Sequence, residues 1–332
     1  MKRFLAGDIG GTKVIMALFE EENGRLRITA EQTYPSANYA SFNEIIRDFR
    51  AQHAEPVSAT GFGVAGPVFD RRCQATNLPW VIDARELETT MPVGRVALVN
   101  DFKAAALGVL HLQPEEWVDL NPGAGAEHHG PIAILGAGTG LGEALLVYAA
   151  GAYQVVPSEG GHTDFAPRNE DEMGLLRFLM QRHGRVSYER VLSGMGLHAI
   201  YDYLVATGFA PESPEVRTAM ENADPASVVS KFAQGGRDKL CAKALDMFCA
   251  VYGAEAGNLA LKIIASGGVY VTGGIAPKNI EKLKDGTFLE AYRTKGRFSN
   301  LVGAFPVRVV MNRNVGLFGA AAAAIELESF SG

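Results

Sequence analysis

Two glycine-threonine loops, each set between apolar runs, limit what this chain can fold into. The first is Gly7-Asp8-Ile9-Gly10-Gly11-Thr12-Lys13 and the second is Gly136-Ala137-Gly138-Thr139-Gly140-Leu141-Gly142. Arg3-Phe4-Leu5-Ala6 and Ile132-Ala133-Ile134-Leu135 precede them, and Val14 to Phe19 and Ala144 to Tyr148 follow. Apolar run, glycine turn, apolar run is the grammar of a β-hairpin. Glycine lets the backbone reach positive φ and lets a ligand approach closely. Consecutive N–H groups in such a turn form an anion nest, and threonine adds a hydroxyl donor. Two such turns in one chain point to two halves that close on a polyphosphate.

The rest of the chain alternates strand and helix signals, which argues an α/β class. After a turn at Glu22-Asn23-Gly24, a third strand is predicted near Leu26 to Tyr34. A helix is predicted from Ser41 to His53, with capping-box spacing between Ser41 and Glu44. Strands follow at Ala59 to Val64 and Val96 to Val99, the latter ending in Asn100-Asp101, with a helix from Ala104 to Leu112. The second half restarts at Pro131 to Val147 and then turns helical at Asp171 to His183, with Gly184 placed as a C′ residue. Asp224-Pro225 has the form of an N-cap followed by proline at N1. A long helix spans Arg237 to Ile264. Val269 to Thr272 is a buried strand ending in Gly273-Gly274, Pro277 to Leu283 a short helix, Val307 to Met311 a late strand, and Gly316 to Leu327 a closing helix.

Length and charge narrow the class further. A chain of 332 residues suggests about two domains. A net charge of -6 gives no electrostatic reason to expect nucleic acid. Three dispersed cysteines, Cys73, Cys241 and Cys249, fit a reducing cytosol rather than a disulfide framework. The N-terminus runs directly into strand-like residues, so no secretory segment is expected. The most apolar stretch, Ala244 to Ile264, is interrupted by Asp246, Glu255, Asn258 and Lys262, which makes it a buried helix rather than a membrane span.

Several motifs carry chemistry, and each has a plainer reading. No G-x-x-x-x-G-K-[ST] is present, so a P-loop is not supported. Gly61-Phe62-Gly63-Val64-Ala65-Gly66 matches G-x-G-x-x-G, but Pro67 follows rather than a helix, so it reads as a strand and tight turn lining a cleft. Asp8, inside the first loop, can hold Mg²⁺ directly or through water, against the plainer reading of an Asx turn. Lys13 can reach a phosphate or stand as an exposed strand lysine. Asn100-Asp101 sits at a strand's carboxyl end, where ligands of α/β sheets collect. There a carboxylate can take a proton from an attacking hydroxyl, or Asp101 can simply cap the following helix. Ser158-Glu159-Gly160-Gly161-His162-Thr163-Asp164-Phe165 is a polar cluster whose Glu159 and His162 can converge on one ligand. Glu189 alone reads as a surface residue beside Arg190, and His128-His129 as a solvated loop.

Taken in order, Gly7 to Thr12, Asn100-Asp101-Phe102, Gly136 to Gly142, Glu159-Gly160-Gly161-His162-Thr163-Asp164-Phe165-Ala166-Pro167 and Glu189 to Gly194 form a series that resembles the bacterial glucokinase family. The resemblance runs from about Phe4 to Gly319, and the Glu-Gly-Gly-His stretch is its most specific part. It implies two ribonuclease H-like α/β domains of the actin-like ATPase/sugar kinase fold with an interdomain cleft. A small domain of residues 1–111 plus 313–332 and a large domain of residues 112–312 follow from it.

The same resemblance implies ATP-dependent phosphorylation of glucose to glucose 6-phosphate, the first step of glycolysis, in the cytoplasm. Asp101 would be the general base. Asn100, Asp101, Glu159, His162 and Glu189 would bind the sugar. Asp8, Gly10, Gly11, Thr12 and Lys13 would contact the nucleotide from one side, and Gly138, Thr139, Gly140, Gly273 and Gly274 from the other. Mg²⁺ would be held at Asp8 through water or phosphate, and a homodimer is implied. Two departures stand out. The C-x-C-G-x-x-G-C cluster of the related zinc-bearing repressor/kinase family is absent, so no zinc is expected. Lys13 stands where many glucokinases carry asparagine. The alternatives are a kinase for mannose or an N-acetylated hexose, a non-catalytic sugar-sensing regulator, and an actin-like ATPase without a sugar pocket. Against the regulator, the chain opens at its first strand, with no room there for a helix-turn-helix.

Overall fold

A computed structural model describes residues 2–76, 78–122 and 124–329. The chain divides into two compact units, residues 1–116 with 312–332, and residues 117–311.

The first unit is built on a five-stranded sheet. Strands β1 (Lys2–Ile9), β2 (Lys13–Glu22) and β3 (Arg25–Pro35) form an antiparallel meander. Following β4 (Ala59–Val64) comes a small antiparallel sheet of β5 (Val68–Phe69), β6 (Arg72–Gln74) and β7 (Val81–Asp83). Strand β8 (Arg95–Asn100) completes the main sheet in the order β3-β2-β1-β4-β8, with β1, β4 and β8 parallel. Strict period-2 alternation sends side chains to two faces. Leu5, Ile9, Val14, Met16 and Leu18 pack with Phe42, Ile45, Ile46 and Phe49 of the helix Phe42–Gln52. Phe4, Ala6, Ile15, Ala17 and Phe19 pack with Leu317, Ala320, Ala321 and Ala324 of the closing helix Val315–Ser329. A sheet covered on both faces explains why these strands read as nearly continuous apolar runs.

The closing helix lies close because small residues face it. A Cβ on Gly61 would overlap the Ala320 carbonyl, one on Gly319 the Ala104 carbonyl, and one on Gly108 the Val315 carbonyl. This accounts for the isolated G-x-G-x-x-G match. The strand and turn are there, but Gly61 seats a helix, Gly63 abuts the Ala104 methyl, and only Gly66 takes a positive φ, at 144°.

The second unit repeats the strand order on a larger scale. Strand β9 (Trp117–Asp119) is an antiparallel edge. Strands β10 (Ile132–Ala137), β11 (Leu141–Ala149) and β12 (Ala152–Ser158) form the meander. Strands β13 (Gly268–Thr272) and β14 (Val307–Val310) join in parallel, giving β12-β11-β10-β13-β14-β9. The long helix Lys239–Ile263 buries Leu240, Ala244, Phe248, Tyr252 and Leu259 in the same core as Leu135, Val269 and Val271. Among the described residues, no helix is long and apolar enough to cross a membrane.

Local signals were met with some corrections. Asp224 caps Pro225–Ala233 by accepting from the Ser227 N–H, and Gly184 closes Glu170–His183 at φ 70°. Ser41 stands at its N-cap position, but its side chain makes no cap bond. The Glu44 carboxylate instead accepts from the Ala40 N–H at 3.0 Å. The helix predicted at Pro277 to Leu283 is two short helices, Ile275–Lys278 and Ile280–Lys284, parted at Asn279. His128 and His129 are exposed, as a solvated loop requires, and His129 also stacks on Tyr148 with ring centroids 3.5 Å apart.

Candidate functional site

In the first unit the proposed ligands gather at the carboxyl ends of β1, β4 and β8, which lie in register as Asp8 beside Gly63 and Val64 beside Asn100. The Gly10–Lys13 turn is closed by the Gly10 N–H donating to the Lys13 carbonyl at 3.0 Å. Ser36, which sequence reasoning did not single out, braces it. Its hydroxyl donates to the Gly10 carbonyl and its N–H to the Thr12 carbonyl. Asp8 is half-buried, and its carboxyl is raised to about 6, first by burial and then by the negative charge of Asp101, with Lys13 opposing. Asp8 and Asp101 therefore share one electrostatic neighbourhood, and Lys13, although exposed, belongs to it.

The Asn100-Asp101 pair divides its labour differently from the simple capping reading. Asn100 is the N-cap of the helix Asp101–Gly108, with its Oδ1 accepting from the Phe102 and Lys103 N–H groups. Its Nδ2 donates to the Gly66 carbonyl at 3.2 Å and to Asp101 Oδ1 at 2.9 Å. All four hydrogen-bonding positions of the amide are thus in use. A sugar contact from Asn100 must replace one of them. Asp101 begins the helix, exposed, its Oδ1 also accepting from the Phe102 N–H at 2.8 Å.

In the second unit the phosphate-type loop and the Gly273-Gly274 turn leave adjacent parallel strands, with Gly136 beside Thr272. The loop is closed by the Gly138 N–H donating to the Gly140 carbonyl, while the Gly138 carbonyl accepts from Gly194. Tyr252 ties the two turns together. Its Oη accepts from the Ala137 N–H at 2.9 Å and donates to the Thr272 carbonyl at 3.4 Å. Gly273 takes φ 80° and packs so tightly on Ala137 that a Cβ would overlap the backbone there. Gly10, Gly138 and Gly140, in contrast, lie outside the left-handed region, and a Cβ on Gly140 would overlap Glu189 Oε2, so that glycine makes room for the carboxylate. A Cβ on Gly138 would meet nothing within 4 Å, which leaves the backbone of that turn open to a phosphate.

The sugar-type residues converge on the same loop. Glu159 precedes the single turn Gly160–His162, which lies against β11 with Gly160 and Gly161 buried. Glu189 lies on another short turn, Tyr188–Arg190, far away in sequence. Its Oε2 accepts from the Leu141 N–H at 3.0 Å, and its Oε1 is 3.8 Å from His162 Nδ1. Glu189 is therefore no surface partner of Arg190. It joins the end of the Gly138–Gly140 loop to His162. Arg185, unremarked in the sequence, pins this arrangement by donating to the His162 carbonyl and to Asp164, each at 2.6 Å.

Neighbouring carboxylates such as Asp8 and Asp101 suit a hard divalent cation such as Mg²⁺ held largely by water or phosphate, and among the described residues no group of three or more metal-ligating side chains gathers. In the second unit, the open backbone at Gly138 suits a phosphate group.

Comparison with known proteins identifies the family. A model of the glucokinase family matches residues 5–327. The glucokinase of Nostoc sp. is 41% identical, over 98% of this chain and 100% of its own length. The crystal structure of a glucokinase from an Antarctic psychrotroph superposes with a TM-score of 0.87 at 31% identity, covering 98% of this chain and 99% of that one. A ROK family glucokinase from Streptomyces griseus, solved with glucose and AMPPNP, shares the fold at a TM-score of 0.65 and 21% identity, over 98% of this chain and 99% of that one. The architecture is that of the ribonuclease H-like domains of the actin-like ATPase/sugar kinase fold. With the family model matching residues 5–327 and a curated relative 41% identical over 98% of the chain, the chain belongs to the glucokinase family.

Proposed function

We propose that this protein transfers the terminal phosphoryl group of ATP to O6 of glucose, with Asp101 as general base. The observation that carries the proposal is the bridging carboxylate of Glu189, which holds the Leu141 N–H at the end of a phosphate-type loop with one oxygen and faces His162 with the other. A side chain shared by a phosphate loop and a polyol-type cluster suits an enzyme that brings a phosphate donor to a hydroxyl acceptor.

Phosphoryl transfer asks a protein chiefly for alignment and charge compensation. Gly10, Gly11, Thr12 and Lys13 are assigned to the phosphates from the first unit. Gly138, Thr139 and Gly140 are assigned to them from the second, with Gly273 and Gly274 on the adenosine side. Mg²⁺ would be held by Asp8, through water or phosphate, and when bound offsets phosphate charge. Glu159, His162 and Glu189 present acceptors and a donor to sugar hydroxyls. Asn100 positions Asp101 through the Nδ2 to Oδ1 bond and contacts the sugar by exchanging one of its present partners. Asp101, oriented by that bond and by the Phe102 N–H, removes the O6 proton as the oxygen attacks phosphorus. The working form is proposed to be a cytoplasmic homodimer that feeds glycolysis, which size measurement of the purified protein would test.

A coupled assay of ATP consumption across glucose, mannose and N-acetylglucosamine fixes the acceptor, and glucose is expected to give the highest kcat/KM. Replacing Asp101 by Asn retains the side chain's shape and its acceptor oxygen. It is expected to lower kcat roughly 10²–10⁴-fold, the scale of a lost general base, while both ligands still bind. Near-normal kcat in that variant refutes the base assignment.

A further inference from the structure

Glu143 lies on β11, one residue beyond the glycine loop, paired in register with Ser158. Its residue is 2% exposed, and neither carboxyl oxygen has a hydrogen-bond partner among the described residues. A buried, unpartnered carboxyl is costly, and it is far costlier as an anion than as a neutral acid. Its position is equally unusual. A Cβ on Gly160 would overlap Glu143 Oε2, and one on Gly161 would overlap the Leu141 carbonyl. The Gly160–His162 turn thus rests directly on this carboxyl and on the strand carrying it, with no slack between. The Gly160 N–H is anchored to Ser158 Oγ at 2.9 Å, the residue facing Glu143 across the strand pair.

We propose that Glu143 is a positioning residue for sugar binding: in its neutral form it supports the Glu159–His162 loop in the sugar-binding conformation, and loss of its proton releases that loop. The inference rests on the reading of Glu159 and His162 as sugar ligands. The surroundings favour the neutral form. On the long helix, Glu255 is fully buried and adds a second negative charge, and Lys262 on the same helix pulls in the opposite sense. Burial comes first among the causes, and together they raise the Glu143 carboxyl to about 7. Tyr252 adds a buried phenol. The loop itself carries Glu159 and His162 on either side of the glycine pair. Glu255 is better provided for, with Asn258 Nδ2 at 2.9 Å and Lys262 Nζ at 3.3 Å, whereas neither Glu143 oxygen has a partner among the described residues. An ionised Glu143 would stand against Gly160 without a donor, and the turn above it would have to move for solvent to reach the charge.

Glucose binding is to be measured by calorimetry at pH 6.0 and 8.5, without nucleotide, on the full-length protein and on Glu143→Gln. The wild type is expected to bind glucose about tenfold more weakly at pH 8.5, a factor corresponding to about 1.4 kcal/mol. It should take up protons on binding near pH 7.5, seen as a heat that varies with the buffer's ionisation enthalpy. Glu143→Gln should bind at both pH values as the wild type does at pH 6.0, with no proton uptake, while ATP affinity stays within about twofold. If Glu143→Gln keeps the wild-type pH dependence, or binds glucose poorly at pH 6.0, the positioning role is overturned. If that variant does not fold, the wild-type proton uptake decides alone, and its absence refutes the proposal. Failure of the wild type to bind glucose at either pH would instead refute the sugar-site reading itself.

Discussion

Glu189→Ala separates a bridging carboxylate from an ordinary sugar ligand. In the wild type the Leu141 N–H donates to a carboxylate that is one quarter exposed. A hydrogen bond to a charged partner contributes about 1.5–3 kcal/mol, and leaving a half-buried N–H unpaired has a cost of similar size. Partial exposure places the loss near the lower end, about 1.5–2 kcal/mol, or roughly 10–30-fold in an equilibrium. Because the Leu141 N–H ends the Gly138–Gly140 loop, the loss should appear in ATP binding as well as in glucose binding. Glu189→Gln keeps an acceptor for that N–H but removes the charge facing His162. Its ATP affinity should stay within about threefold of wild type while its glucose affinity falls. Calorimetry with each ligand alone, on both variants, makes the comparison without the complication of turnover. A Glu189→Ala protein with full ATP affinity and lost glucose affinity would refute the bridge and reduce Glu189 to a sugar ligand.

Three further outcomes are expected. Glu159→Gln, at an exposed carboxylate with no part in the glycine turn, should weaken glucose binding and leave ATP affinity nearly unchanged; calorimetry showing equal loss of both would count against the assignment. Gly319→Ala places a methyl on the Ala104 carbonyl and should destabilise the first unit by about 1–3 kcal/mol, read as a lower urea midpoint; an unchanged midpoint would mean that the helix can retreat freely. Finally, the Glu143 carboxyl moves from its ordinary 4.5 to about 7 on folding. The folded state therefore holds more protons than the unfolded state between those values, and stability falls as pH rises across that window and then levels off. The full difference is on the order of 3 kcal/mol. Glu143→Gln should abolish the decline and melt higher than wild type at pH 8, so a wild-type-like pH profile in that variant would contradict the assignment.

Much of the fold was legible because hairpins, caps and doubly covered strands are written locally. Asn23-Gly24 adopts positive φ at both residues, the form that a tight two-residue hairpin demands. Asp224-Pro225 and Gly184 act as their chemistry dictates. What escaped depends on contacts between distant segments. Strands β5 to β7 are two or three residues long, too short to show alternation. The role of Gly61 cannot be read without knowing that Ala320 lies over it. Glu189 and Leu141 meet only because a short turn is folded back onto β11, and Arg190 beside it in sequence was a misleading partner. Glu143 and Glu255 look like ordinary polar positions on a strand and a helix, since nothing local says that both lie in the interior. At Asn100-Asp101 the pairing was legible, but which residue capped and which was held was not.

The placement of the last helix has a consequence for how the molecule is made. The sheet that presents Asp8 and Asp101 receives the cover of one whole face from residues at the far end of the polypeptide. During synthesis, residues 117–311 can bury their own interior as soon as they leave the ribosome. The earlier strands must wait, apolar on an open side, until Val315–Ser329 has been synthesised. A product stopping before Val315 would retain every assigned ligand in its sequence and still lack the helix that covers one face of the sheet, so this helix sets when the first unit becomes competent.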